Sequence, residues 1–409
     1  MVEKEDVKKI LTCVLLFLFG LGLGNLEKIF ILFFLLIVLW EHIKYRNFLI
    51  KRQSQLIPLF LWGLLFSMMF IVDGGEVAGN IVYYLVAPSV MCIYGYDLLN
   101  VDTAESDFFM YAYVLSFGFF LHAVISVIIS SKSGVFQFNA EHIRDIWTGR
   151  MISRTIMGMY MVPIVCFSVP MLFHVDEKCQ ILQKLLAIFI IGIAIAISIY
   201  VGNRALLIIS AILTFVSFIL ALKYTKKKIQ LLVFLALFLI IASFLLGSNM
   251  LNFEDFVGTS FLAKRNLSIT SDGRLDAYKS VVQHFDDYLF GWISSGGHLE
   301  GTTLKWAHNV WLDILVYAGI IPLILFLKYS LCVIRDTIAV SKNIFLKTTT
   351  KITAVALVIG IFLNWAIEPV LQSNPYFLSA CCMIFGMYVK LKMYIGEKND
   401  FKKNSVLFD

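Results

Sequence analysis

The sequence has little charge for its length, and this scarcity excludes an ordinary soluble protein. Only 15% of the 409 residues are charged, whereas 59% are hydrophobic. Soluble domains carry about 25% charged residues, and a chain this apolar could not cover a water-exposed surface. The mean hydropathy of +0.83 comes from long apolar runs, for which a lipid bilayer is the natural solvent.

Cysteine patterns and stripes of basic residues are also missing. Of the seven cysteines, all but Cys179 lie inside apolar runs, and Cys179 falls in a segment that we place in the cytoplasm. Neither a disulfide framework nor a metal site is therefore predicted. The 34 Lys and Arg residues are scattered among short loops instead of forming a continuous stripe, so nucleic acid is excluded as a partner.

Long apolar runs predict an all-α fold, a polytopic bundle of about twelve transmembrane helices. Most runs approach the ~20 residues that a span needs, and no small-x-small cleavage site follows the first run, which we expect to be retained. The first two runs are short and also fit a hairpin that only enters the bilayer. The runs cover residues 10–24, 29–40, 56–72, 77–96, 108–130, 155–175, 181–201, 205–222, 229–246, 309–334, 352–367 and 375–391.

The distribution of Lys and Arg predicts the orientation of this bundle. With the N-terminus in the cytoplasm, 23 of the 34 basic residues lie on the cytoplasmic side, as the positive-inside rule requires. Both termini are then cytoplasmic. The chain forms a single transmembrane domain over residues 1–409, and its two long outer segments cover residues 131–154 and 247–307.

The larger outer segment, residues 247–307, is predicted to be a helical extracytoplasmic loop. A loop of this length is rarely structureless and is often functional. Within it, residues 272–289 have apolar side chains at helical spacing, with Ser271 as the expected N-cap. A helix of this kind can lie on the membrane surface. The apolar positions are Leu275, Tyr278, Val282, Phe285 and Leu289.

Several arginines in the outer segments run against the positive-inside bias. Arg204 and Arg274 each stand near the start of a predicted helix, whose free N–H groups and positive dipole end bind anions. Guanidinium also matches phosphate geometry, so we expect a phosphate or diphosphate ligand. Arg144 and Arg150 lie in the smaller outer segment as further candidate substrate contacts. The alternative for each arginine is an interfacial anchor.

A second group of candidates lies at the predicted outer ends of the later spans. His308 can act as a general base near neutral pH, or it can belong to an aromatic belt with Trp306 and Trp311. Asn309 and Glu368 are candidate substrate contacts, although Glu368 could also be simply solvated. Because the central thirds of the spans carry almost no ionisable residue, the pattern favours a headgroup enzyme over a transporter.

Short motifs around the larger loop occur in a characteristic order. The motifs are Gly273-Arg274-Leu275-Asp276-Ala277-Tyr278, Phe290-Gly291-Trp292 and His308-Asn309, with Asn203-Arg204-Ala205 upstream. Through these motifs the chain, over about residues 201–326, resembles the superfamily of O-antigen polymerases and O-antigen ligases. The layout of spans and loop is similar as well.

The resemblance implies a glycosyltransferase of the bacterial cytoplasmic (inner) membrane that needs neither a metal nor another cofactor. Such enzymes use oligosaccharides carried on undecaprenyl diphosphate at the outer face. By position, Arg204 and Arg274 would hold the donor diphosphate, and His308 would be the general base on the acceptor hydroxyl. A flippase and a chain-length regulator would be partner proteins, and membrane lipid would surround the bundle.

Three functions remain open at this point. The ligase branch commonly has a Glu soon after His-Asn, whereas Val310 and Trp311 follow here, which favours a polymerase that joins oligosaccharide repeats. An O-antigen ligase is the alternative within the superfamily. A transporter or flippase of lipid-linked sugars is the alternative of another class, and it would need a hydrophilic path with cations well below the surface.

Overall fold

A computed structural model describes most of the predicted spans. Nearly all of the run at 229–246 and most of the loop at 247–307 fall outside the described residues, as does Ser271. The described residues are 4–45, 54–72, 77–132, 142–173, 181–225, 228–229, 273–291, 299 and 306–394.

Helices dominate the described residues. A two-stranded antiparallel sheet, which was not predicted, is formed by β1 (His142–Arg144) and β2 (Met151–Ser153). A 3₁₀ turn follows α1 at Leu23–Asn25, and a π-helical segment, Ile81–Val86, joins α4 to α5. The helices are α1 (Lys4–Gly20), α2 (Glu27–Tyr45), α3 (Leu56–Val72), α4 (Val77–Asn80), α5 (Ala87–Leu98), α6 (Ala104–Lys132), α7 (Arg154–Leu172), α8 (Ile181–Val201), α9 (Arg204–Tyr224), α10 (Arg274–Gln283), α11 (Val310–Ala318), α12 (Ile320–Lys342), α13 (Thr348–Ile367), α14 (Val370–Ser373) and α15 (Pro375–Leu391).

These helices support a helical membrane protein, because backbone groups in lipid must be satisfied within the segment. Among the described residues, six helices are long and apolar enough to cross a membrane, and two apolar helices are shorter. The bounds of α3, α8 and α15 coincide with predicted runs at both ends. The full count of about twelve spans stays a prediction.

The run at 309–334 is not the single helix that was predicted. It breaks at Gly319 into α11 and α12, with a φ of +85° at the glycine. A Cβ there would lie 2.6 Å from the carbonyl oxygen of Leu289, so only glycine fits the close approach. The Trp311 indole donates to Ser330 Oγ at 3.3 Å, although 19 residues of continuous helix would span about 28 Å. The chain therefore reverses at Gly319, and α11 packs back along α12.

The described chain divides into two units. Unit one comprises Met1–Gly118, Asp272–Lys347 and Trp365–Asp409. In its core α5 lies against α15 so closely that a Cβ on Gly386 would meet the Cys92 carbonyl oxygen at 2.1 Å, the small-residue contact typical of membrane helices. Large aromatic side chains fill the remaining core, among them Trp62, Phe326, Trp365 and Phe385.

Unit two comprises Phe119–Ser271 and Thr348–Asn364. Helix α7 is its central element, because almost every one of its side chains is buried and both α8 and α9 pack against it. The β1–β2 hairpin immediately precedes α7 in the chain.

The helix predicted at 272–289 is shorter and buries a different face. Helix α10 ends at Gln283, and a 3₁₀ turn follows at Asp286–Tyr288. The prediction failed because the small side chains Ala277 and Val281 pack in a cluster with Leu315 of α11, where larger side chains would not fit. Three residues of the predicted apolar face are exposed instead, namely Leu275, Val282 and Phe285.

Candidate functional site

His308 and Asn309 lie inside unit one, where α11 begins. Because Trp311 contacts Ser330, this start lies about 15 Å along α12 from Gly319. The sequence placed His308 at the outer boundary of a span, and this stays a prediction. Its neighbour Asn309 contacts the Ala366 carbonyl near the end of α13, a helix long and apolar enough to cross a membrane.

The backbone around His308 is held from both sides. The buried carboxylate of Asp313 accepts the N–H of Ala307 at 2.8 Å, and the Asn309 side chain caps α11 by accepting from Trp311 and Leu312. His308 itself has a φ of +54°, which is uncommon for a residue other than glycine. Strained residues of this kind cluster at functional sites.

Helix α10 brings Arg274 to the same place. The Arg274 Nη2 atom lies 3.4 Å from Oε2 of Glu368, whose side chain is only 2% exposed. This burial excludes the interpretation of Glu368 as a simply solvated boundary residue. The structure therefore joins two residues that the sequence presented as separate candidates.

One backbone carbonyl connects the two helix starts. The Ala366 oxygen accepts from the Tyr278 hydroxyl at 3.0 Å and from the Asn309 amide at 3.1 Å. We call the set Arg274, Tyr278, Asn309 and Glu368 the Arg274 cluster. Sequence reasoning missed the polar role of Tyr278, because its ring matched the apolar spacing of the loop helix and the hydroxyl gave no separate signal.

Electrostatics at the cluster favour a protonated Tyr278 and a bound anion. Burial raises the pKa of Tyr278 above its ordinary value, although the Arg274 guanidinium acts in the opposite direction. The first turns of α10 and α11 both face the Ala366–Glu368 segment through these contacts, and helix N-termini are positive. Helix α10 has Gly273 as its N-cap, with no side-chain cap, so its first N–H groups can serve a ligand.

Aromatic side chains surround the segment that carries His308. Trp306 stacks on Tyr317 with a centroid distance of 5.2 Å. Trp311 meets the ring of Trp365 edge-on, at 6.2 Å. The charged cluster therefore adjoins a segment with several aromatic side chains.

The remaining sequence candidates belong to unit two. Arg204 begins α9, where the Asn203 side chain caps the helix by accepting from Leu206 and donates to the Arg154 carbonyl at 3.0 Å. Arg144 and Arg150 are exposed on the β1–β2 hairpin. The structure thus brings Arg274, Asn309 and Glu368 together, with His308 adjacent in the chain, and places the other three arginines in unit two.

Comparison with known proteins adds no assignment. No family model matches the chain. No curated protein matches it significantly either. Among the described residues, no group of three or more His, Cys, Asp and Glu side chains is arranged to hold a metal ion.

Proposed function

We propose that this protein is a polysaccharide polymerase that joins oligosaccharide repeats carried on undecaprenyl diphosphate, in a bacterial cytoplasmic membrane. The observation that carries the proposal is the convergence of Arg274 and the first turns of α10 and α11 on one buried segment. The N-terminus of α10, which has no side-chain cap, and a guanidinium form a site for a concentrated negative charge, and the dipole of α11 adds positive potential. A diphosphate leaving group is such a charge.

Arg274 is the proposed diphosphate ligand, and Glu368 is its positioning partner. A guanidinium has five N–H donors in a fixed fork, so one contact to Glu368 leaves others for phosphate oxygens. At 3.4 Å this contact is long for a charge-assisted hydrogen bond, which allows the fork to reorient toward a ligand. Neutralising the leaving group by such fixed charges stabilises the transition state electrostatically.

His308 is the proposed general base on the acceptor hydroxyl. Asp313 and Asn309 fix the backbone on either side of it, so the imidazole is carried by a rigid segment, as general-base geometry demands. The neighbouring Trp306, Trp311 and Tyr317 offer an apolar surface for the isoprenoid stem of the donor.

Buried carboxylates beside helix ends also support a second candidate, a transporter or flippase of lipid-linked sugars. Glu368 and Asp313 are buried beside interrupted helices, which is the arrangement of many transporter sites. An O-antigen ligase, which would use the same donor site with a lipid acceptor, remains the alternative within the superfamily.

A reconstituted assay separates these functions. Purified protein is incubated with a lipid-diphosphate oligosaccharide, and chain growth is followed on a gel. A polymerase extends the chain. A ligase transfers the oligosaccharide to an added lipid acceptor instead. A transporter only moves the substrate across the membrane of proteoliposomes. Absence of any chain growth under these conditions would exclude polymerase function.

The Arg274→Ala variant tests the diphosphate site directly. We expect donor affinity to fall about 10- to 150-fold, because a hydrogen bond to a charged group contributes ~1.5–3 kcal/mol. The matched control is Lys279→Ala, which removes an exposed positive charge from the same helix and should leave affinity unchanged. Equal affinity in wild type and Arg274→Ala would refute the proposed site.

A further inference from the structure

The β1–β2 hairpin of unit two presents two arginines on a very short sheet. Its register pairs Ile143 with Ile152 and Arg144 with Met151. Arg144 and Arg150 flank the connecting turn, and both are exposed. Strands of three residues are too short to be stable alone, since even longer isolated hairpins are marginal in water. The position of these guanidinium groups therefore depends on whatever anchors the hairpin.

Asp145 organises the turn from within. Its Oδ1 atom accepts from the backbone N–H groups of Trp147 and Thr148, at 2.9 and 2.7 Å, and from the Thr148 hydroxyl. Its own N–H donates to the Arg150 carbonyl at 2.9 Å. One carboxylate thus fixes the whole path between the two arginines.

Helix α6 anchors this turn through His122. The ring Nε2 lies 2.8 Å from Oδ2 of Asp145, whereas the hydrogen bonds within the turn use Oδ1. The His122 side chain is buried, with only 3% exposure. Two turns later on α6, Ser130 Oγ accepts the N–H of Arg144 at 2.7 Å. The hairpin is therefore held at its turn by a side chain pair and at its strand by a backbone contact.

The charge state of Asp145 supports a strong anchor. Burial alone would raise the pKa of Asp145, but hydrogen bonds from His122 and Thr148 outweigh burial and hold that pKa well below its usual range. A depressed folded-state pKa gives stability that is present above the unfolded value of about 3.9 and is lost only as pH falls further. The carboxylate is thus ionised at any ordinary assay pH, and His122 donates from Nε2.

We propose that His122 and Asp145 are positioning residues that hold Arg144 and Arg150 in place to bind an anionic group of the lipid-linked substrate. The identity of the substrate rests on the proposed function, whereas the anchoring contacts do not. His122 acts here through the hairpin and not on a reacting atom. Neither His122 nor Asp145 had been singled out by the sequence, because one falls in an apolar run and the other in a polar loop.

The variants exploit the geometry of the imidazole. Glutamine can place an amide donor where Nε2 lies, whereas leucine removes the donor and keeps much of the volume. His122→Leu should therefore raise the KM for the lipid-linked oligosaccharide about tenfold and leave kcat within twofold. His122→Gln should restore the KM to within threefold of wild type. Ser126→Ala, one turn along the same helix, is the matched control and should behave as wild type.

A mutant cycle distinguishes positioning from general destabilisation. If His122 acts through the hairpin arginines, adding His122→Leu to a variant that carries both Arg144→Ala and Arg150→Ala should leave the KM of that variant unchanged. Additive effects in the cycle, or an unchanged KM in His122→Leu, would overturn the proposal. If His122→Leu does not fold, Asp145→Asn serves instead, because it keeps the turn acceptor at Oδ1 and removes the charge that faces His122.

Direct binding keeps this test separate from that of the proposed function. Inorganic diphosphate is titrated, with calorimetric detection, into detergent-solubilised Arg274→Ala alone and into Arg274→Ala combined with His122→Leu or with Arg150→Ala, so that binding at Arg274 does not mask the hairpin. Weaker binding in both combined variants supports the hairpin site even if chain growth is never observed. A third result is possible, in which the KM for chain growth depends on Arg150 but the hairpin does not bind diphosphate. This result would identify an acidic sugar of the substrate as the anionic group. Identical binding and identical KM in all three proteins would reject the site.

Discussion

Two of the buried carboxylates of unit one, those of Asp336 and Glu368, lie in very different surroundings. Asp336, near the end of α12, accepts from Lys392 and from Gln55, both at 2.7 Å. Glu368 faces Arg274 at 3.4 Å, in a segment between two helices. Asp336 lies six residues beyond Ser330 on α12, about 9 Å along the helix, and the two carboxylates differ in how tightly they are bound.

This difference separates a structural cluster from a candidate site. The contacts of Asp336 are short and tie together the start of α3, α12 and the end of α15, which is the arrangement of a charge that has to be compensated to remain buried. The Glu368–Arg274 contact is longer and adjoins an uncapped helix start and a residue with positive φ. We therefore expect substitutions of Asp336 or its partners to change stability. Substitutions near Glu368 and Arg274 should change activity.

His308→Ala gives the largest expected effect and tests whether the segment beside the Glu368–Arg274 contact takes part in catalysis. Loss of a general base should reduce the rate of chain growth about 10²- to 10⁴-fold, whereas donor affinity should persist because Arg274 holds the diphosphate. The measurement is kcat in the reconstituted assay, together with donor binding. The control is His284→Ala, which replaces another histidine of unit one, earlier in the chain, and it should keep full activity. A rate for His308→Ala within threefold of wild type would assign it a purely interfacial role.

Lys392→Met tests whether the contacts of Asp336 contribute to stability and not to activity. Leaving Asp336 buried without its nearest cation should destabilise the protein by roughly 3 kcal/mol, measured as a lower Tm in detergent. The activity per folded molecule should not change. Combining this variant with Asp336→Asn removes the uncompensated charge and should recover part of the lost stability. A loss of activity at unchanged Tm would show that this cluster also belongs to the functional site.

The variant Thr302→Cys tests which side of the membrane the loop faces. The measurement is whether the cysteine is labelled in intact cells. In a background without native cysteines, Thr302→Cys should react with an impermeant maleimide in intact cells, because the bias of Lys and Arg puts the loop at residues 247–307 outside. A cysteine at Asn404 in the C-terminal tail is the control and should react only after lysis. The reverse pattern would invert the predicted topology and place the donor site on the cytoplasmic side.

Helix positions could be predicted because they follow from local hydrophobicity. The run at 181–201 became α8 and that at 56–72 became α3 without adjustment, since a long apolar segment in lipid has few alternatives to a helix. The reversal at Gly319 could not be predicted in the same way. It depends on the Leu289 carbonyl, 30 residues earlier in the chain, and no local pattern reports such an approach.

The sequence by itself determined the helical membrane class of the protein, the bounds of several helices and which residues were worth testing at the site. Arg274, His308, Asn309 and Glu368 were all recognisable from residue type and position. Only the tertiary structure decided that Arg274 faces Glu368, that Asn309 and Tyr278 share the Ala366 carbonyl, and that His122 holds Asp145. These pairs join residues separated by 23 to 94 positions in the chain. Hydrophobic periodicity shows which face of a helix is apolar. It does not show which residues of another helix that face contacts, because those contacts depend on how the helices pack in the folded chain.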